Sequence, residues 1–122
     1  MVSSLQLIGY KINGEIFYSI EDKALSNANN SSQVIKLRNT MASLLEYLLK
    51  HSREELVSDD ELRKKIWEAN NLSFSSQRKW QVINQLNKKI ANLDPSSKLI
   101  YRIRGKGYYM KHNQINRIFK EI

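Results

Sequence analysis

The segment from Ile100 to Met110, IYRIRGKGYYM, restricts the fold of this chain more than any other. Leu99, Tyr101 and Ile103 alternate with Ile100, Arg102 and Arg104, the period of a half-buried strand; Gly105, Lys106 and Gly107 then turn the chain into a second aromatic strand, Tyr108 to Met110. The pattern predicts a β-hairpin whose tip presents positive charge and glycine. A lysine between two glycines suits a narrow anionic groove, but on these residues alone a plain surface hairpin with solvated charges fits as well.

Charge distribution separates the two readings. The chain carries a formal net charge of +8, and residues 69–111 hold Arg78, Lys79, Lys88, Lys89, Lys98, Arg102, Arg104, Lys106 and Lys111 against one acid, Asp94. The remainder is balanced, so one contiguous third carries the whole excess, as expected of a surface that displaces counterions from a phosphate backbone. Binding to an anionic membrane would favour one strongly amphipathic basic helix, whereas these cations straddle a helix and a hairpin.

With 122 residues, 41% of them apolar, the chain is expected to fold as one domain with a real core. It has no cysteine, which removes disulfides and thiolate metal sites. No apolar run approaches the roughly 18 to 20 residues of a membrane span, and the opening MVSSLQLIGYKING lacks the layout of a signal peptide. A cytoplasmic protein is the expectation.

A small antiparallel sheet is predicted over about residues 5–38. Leu5 to Ile12 and Glu15 to Ile20 flank Asn13-Gly14, which tolerates the positive φ angles of a two-residue hairpin turn. After a polar stretch from Ser26 to Ser32, Val34 to Arg38 alternates again, with Ile35 and Leu37 on one face. Three helices follow, over about 40–51, 59–68 and 76–92. In the first, Met41, Leu44, Leu45, Leu48 and Leu49 make one buried stripe, with Asn39 or Thr40 able to cap it. The second opens with Ser58-Asp59-Asp60-Glu61, a capping box with acids at the positive end of the helix dipole, and buries Leu62, Ile66 and Trp67. Those acids read as capping groups rather than metal ligands.

In the third helix Ile83, Leu86, Ile90 and Leu93 form the inward stripe. Gln77, Arg78, Gln81, Val82, Gln85, Lys88 and Lys89 are left at its flank or outside. Amides and guanidinium groups suit base edges in a major groove, and lysines suit phosphates, although a Lys/Gln/Asn face by itself is more commonly just solvated.

A buried helix, a capped helix, a short connection, an exposed basic helix and a basic hairpin are the ordered parts of a winged helix-turn-helix, here in an α+β fold. ELVSDDELRKKIWE, VINQLNKKI and YRIRGKGYYM resemble the DNA-binding domain of OmpR/PhoB-type regulators, most of all the N-terminal domain of ToxR/CadC-like regulators, over about residues 5–111. The resemblance implies a sequence-specific transcription regulator that binds double-stranded DNA. Arg78, Gln81, Val82 and Gln85 would face the major groove, Arg104 the minor groove, with Arg102 and Lys106 beside it. Asn84, Gln85 and Asn87 stand where that family often has arginine or serine, and Lys79 where it is usually apolar.

Further expectations follow from the same resemblance. Leu72 and Phe74, in the connection between the second and third helices, would either touch RNA polymerase or plug the gap between helices. Tandem half-sites would be bound by two copies. Met1 to Ser4 leaves no room for a phospho-accepting receiver domain, so control by phosphorylation is not expected. Residues 112–122 could begin a linker to a transmembrane helix or fold on the sheet through Ile115, Ile118 and Phe119. No cofactor is expected, and an enzyme is disfavoured: His51 and His112 are the only histidines, and the basic third offers a nuclease metal only Asp94. The remaining alternative is a winged-helix interaction domain for an acidic protein partner, which a salt titration on duplex DNA would distinguish.

Overall fold

The structure, a computed structural model, describes residues 4–27, 29–51, 55–95, 98–111 and 114–122. The expected His112 thus lies outside the described residues. Strands β1 (Leu5–Ile12), β2 (Ile16–Ser19), β3 (Ala24–Asn27) and β4 (Asn30–Lys36) precede helix α1 (Asn39–His51). A second helical segment starts as α2 (Asp59–Leu62), and α3 (Ser76–Leu93) follows it. The hairpin β5 (Tyr101–Ile103) and β6 (Gly107–Tyr109) comes next, then β7 (Ile115–Glu121).

The first four strands form an antiparallel meander, and β7 joins its other side to give the order β4-β3-β2-β1-β7. Alternation puts Tyr10, Ile12, Ile16, Tyr18 and Leu25 on the face that packs under the helices, where each is buried. The predicted first hairpin is present with a different loop: Ile12 pairs with Ile16, so Asn13, Gly14 and Glu15 make a three-residue connection, with Asn13 and Gly14 both at positive φ.

The polar stretch from Ser26 to Ser32 is not a simple connection. It contains the end of β3 and the start of β4, which acquire strand geometry by pairing with each other rather than by β-propensity of their own. Residues 115–121 lie antiparallel to β1, with Ile115 buried and Phe119 exposed.

Helix α1 sinks Met41, Ala42, Leu44, Leu45, Leu48 and Leu49 into the core. The expected second helix is regular only through Leu62. Ser58 caps it by accepting from the Glu61 N–H at 3.1 Å, after which a wide π turn over Arg63–Trp67 and a 3₁₀ turn over Glu68–Asn70 complete it. The end of α2 buries Leu62, and the π turn delivers Ile66 and Trp67 to the interior. The capping box is half closed, because the Glu61 side chain accepts a hydrogen bond from the Tyr47 hydroxyl of α1 instead of returning to Ser58. Asn71 ends the segment at φ 56, in the left-handed region that asparagine tolerates.

Candidate nucleic-acid interface

The outer stripe of α3 and the β5–β6 hairpin both carry exposed cations. Ser75 caps α3 by accepting from the Arg78 N–H at 3.0 Å, and Ile83, Leu86, Ile90 and Leu93 anchor the helix beneath. The Asn27 amide adds a hydrogen bond to the Leu93 carbonyl at 3.0 Å, fixing the far end of α3 to the sheet. Gln77, Arg78, Gln81, Gln85 and Lys88 are exposed along the helix, and Lys89 is half-buried. Val82, expected outside, is half-buried and packs on the core: it sits on the flank nearer the apolar stripe, where a methyl group gains more from burial than from solvent.

The hairpin is fixed to the helices by three connections. Tyr108 and Val57 exchange backbone hydrogen bonds, each 2.9 Å, so β6 is tied to the residue before the α2 cap. Asn87 of α3 donates its amide to the Ile100 carbonyl at 3.3 Å and accepts from the Ile100 N–H at 3.1 Å. It is therefore a strut between helix and hairpin, a long-range role that its spacing on the helix does not disclose.

Lys79 supplies the third connection. It is buried, its ammonium lies 2.6 Å from the Asp59 carboxylate and 5.2 Å from the Tyr108 ring centroid, and it thereby joins α2, α3 and β6. Although counted among the cations of the basic third, Lys79 is withdrawn from solvent; its place on the inward stripe and an acid across the gap explain why.

At the hairpin tip the Lys106 N–H bonds the Ile103 carbonyl at 2.9 Å, and Gly105 takes φ +76. Gly107 is at φ +146, and a Cβ there would lie 2.4 Å from the Val57 carbonyl oxygen, so the second glycine is demanded by close approach as well as by backbone angle. Arg102, Arg104 and Lys106 project as exposed groups. Among the described residues, none of Arg78, Lys88, Arg102, Arg104 and Lys106 is held in an ion pair. Below the tip Tyr101 stacks on Tyr109 at 5.3 Å, with Lys98 and Lys111 over the Tyr101 ring. Tyr108 is buried as packing, whereas Ile103, which shares its alternating face with Leu99 and Tyr101, is 42% exposed, because its partner across the hairpin is Gly107, which has no side chain to meet it.

The acids that open α2 are all engaged structurally. Asp59 pairs with Lys79, Glu61 with Tyr47, and Asp60 with Arg63 and Lys64. The Arg63 guanidinium, then the Lys64 ammonium, hold the Asp60 carboxyl below its ordinary range. In the connection to α3, Phe74 meets Trp67 edge to face at 5.3 Å and is half-buried, while Leu72 stays 38% exposed. Sequence reasoning overlooked Trp80, which stands 55% exposed on α3. Its position three residues before Ile83 and off the Ile83-Leu86-Ile90 stripe was the available signal.

No helix among the described residues is long and apolar enough to cross a membrane. No curated protein sequence matches the chain. Among solved structures it resembles the DNA-binding domain of E. coli CadC, with a TM-score of 0.75 at 20% identity, over 94% of this chain and 100% of that one. It also resembles the C-terminal domain of the nisin resistance regulator NsrR, a lantibiotic response regulator, with a TM-score of 0.62 at 26% identity, over 80% of this chain and 93% of that one. The Klebsiella pneumoniae RstA DNA-binding domain, in complex with the RstA box, gives a TM-score of 0.62 at 16% identity, over 84% and 97% of the two chains. These likenesses carry the winged-helix fold. Residues 32–110, from β4 through the hairpin and thus well over half of the chain, match the family described as "Transcriptional regulatory protein, C terminal", to which this chain belongs.

Proposed function

We propose that the domain is a sequence-specific, double-stranded DNA-binding transcription regulator, with α3 in the major groove and the β5–β6 wing at the adjacent minor groove. The observation that carries this reading is the set of exposed, unpaired cations shared by one helix and one wing, Arg78, Lys88, Arg102, Arg104 and Lys106, on a framework that immobilises both elements. The solved RstA domain on its DNA box supports it by analogy of fold.

Within this reading Gln81 and Gln85, exposed with Arg78 on the outer stripe, read base edges, and Gln77 stands at its leading end. Lys88, Lys89 and Lys106 hold phosphates, so they position more than they specify. Arg104, at the wing tip, enters the minor groove, and Arg102 stands on the strand below as a further DNA contact of the wing. Phe74 is committed to Trp67, which narrows a contact with RNA polymerase to Leu72. Binding of two copies on tandem half-sites, a cytoplasmic location, a tether to the membrane wherever the natural chain continues into one, and the lack of catalytic activity belong to the same proposal.

The test is a titration of duplex DNA at several salt concentrations. Neutralising several phosphates gives a steep log–log slope, and Arg104→Ala should cost about 1 to 3 kcal/mol of binding while leaving the thermal unfolding midpoint in place. Unchanged affinity removes the wing from the mechanism. A wild-type domain that ignores duplex DNA would leave the acidic protein partner as the reading to pursue.

A further inference from the structure

Trp80 is the large exposed side chain that the recognition stripe does not use. The chain has two tryptophans: Trp67 is fully buried and Trp80 is 55% exposed. Gln81, Gln85 and Lys88 lie on one line of α3; Trp80, Asn84 and Asn87, at i, i+4 and i+7, lie on the neighbouring line, turned toward the wing. Asn87 marks that direction by its two hydrogen bonds to Ile100. Trp80 shares a shallow open groove with Asn84 on the helix side and Lys98 and Arg102 on the hairpin side.

A single exposed aromatic residue means little by itself. Here it walls a groove whose other side carries two exposed cations, and the groove runs between the element assigned to the major groove and the element assigned to the minor groove. On a duplex those two grooves are separated by one sugar–phosphate strand. We infer that this groove seats that strand, with Lys98 and Arg102 facing its phosphates and Trp80 supplying an apolar wall for deoxyribose and an indole N–H for a phosphate oxygen. The inference rests on the DNA-binding reading. It assigns Trp80 to backbone recognition, not to base reading: an indole offers one donor and no acceptor, which fits an acceptor-only phosphate.

Three measurements test it together: affinity for a preferred and an unrelated duplex, the salt slope of each, and acrylamide quenching of tryptophan emission. Because Trp67 is buried, Trp80 carries the quenchable emission, and quenching of the wild type should fall on DNA binding to the level of Trp80→Phe. Trp80→Ala should weaken both duplexes by the same factor, about tenfold, with an unchanged salt slope because no charge is removed. Lys98→Ala or Arg102→Ala should lower the slope by about one. Trp80→Phe, which keeps an apolar wall and loses the N–H, should retain part of the affinity and verifies the fold if the alanine variant is unstable. The inference is overturned if Trp80→Ala binds like the wild type, if it loses affinity for the preferred duplex alone, or if Trp80 stays quenchable in a complex that anisotropy shows has formed. Failure of the wild type to bind either duplex would overturn it together with the DNA-binding reading.

Discussion

The sheet side and the helix–wing side of this domain handle polar groups in opposite ways. Around the sheet, polar side chains find partners inside the molecule: the Tyr18 hydroxyl donates to Glu46 at 2.8 Å, Lys23 to Asn39 at 3.1 Å, and Asn27 to the Leu93 carbonyl. On the outer line of α3 and the wing, cations stand in solvent without ion-pair partners among the described residues. Polar pairing raises stability and consumes binding capacity, while unpaired charge does the reverse. The two sides of one small core thus differ in where their polar groups find partners, and Lys79 marks the boundary. It belongs by sequence to the cationic third, yet by position it is a structural ion pair.

The largest effect should come from breaking the stable side. Leu45 of α1 is fully buried in the core, and Leu45→Ala should cost about 2 to 5 kcal/mol of unfolding free energy in urea titrations. The folded fraction should bind duplex DNA with the wild-type salt slope. A changed slope would show that the two sides are not separable, since no charge is lost.

A smaller effect tests the boundary itself. Lys79→Met replaces the buried ammonium with an apolar chain of similar length, and the Asp59 carboxylate left behind is about half exposed and keeps its hydration. Buried ion pairs are often exchanged for apolar residues at little cost, so stability should move by no more than about 1 kcal/mol. The decisive reading is again the slope of affinity against salt: unchanged for Lys79→Met, lower by about one for Lys106→Ala. Equal losses for both lysines would mean that Lys79 leaves its pocket to reach phosphate.

What the sequence disclosed follows the range of the forces involved. The α1 stripe, the Asn13-Gly14 reversal, the outer stripe of α3 and the Gly105-Lys106-Gly107 tip are set by local periodicity and backbone angle, so they were legible. β3 and the early part of β4 were not, because Ser26, Asn27 and Asn30 become strand only by pairing across the sheet, Ser26 with Val34 and Asn27 with Asn30. The burial of Lys79 depends on an acid twenty residues earlier, and the strut at Asn87 depends on the Ile100 backbone; neither distance is written in helical spacing. Trp80 was hidden for another reason. A tryptophan is more often buried than not, so its place off the inward stripe, the signal the sequence did carry, was outweighed by the residue type.

The smallest expected effect lies in alkaline solution and belongs to the stable side alone. Burial first, and the hydrogen bond and charge of Glu61 after it, push the Tyr47 hydroxyl up to about 12 from an ordinary 10.0. A raised value in the folded state means that the associated stability is complete below pH 10 and is lost as pH rises from about 10 to about 12. Tyr18 is raised too, by burial and then by Glu46, so its contribution fades in the same direction. Tyr47→Phe should therefore lower the unfolding free energy from urea titration slightly at neutral pH, by about 1 kcal/mol or less, and flatten part of its alkaline fall. Replacing both tyrosines by phenylalanine should flatten most of it, whereas Arg104→Ala should leave the fall untouched. A fall as steep in the double variant as in the wild type would place the alkaline weakness outside these two pairs and dissolve the contrast between the sides at high pH.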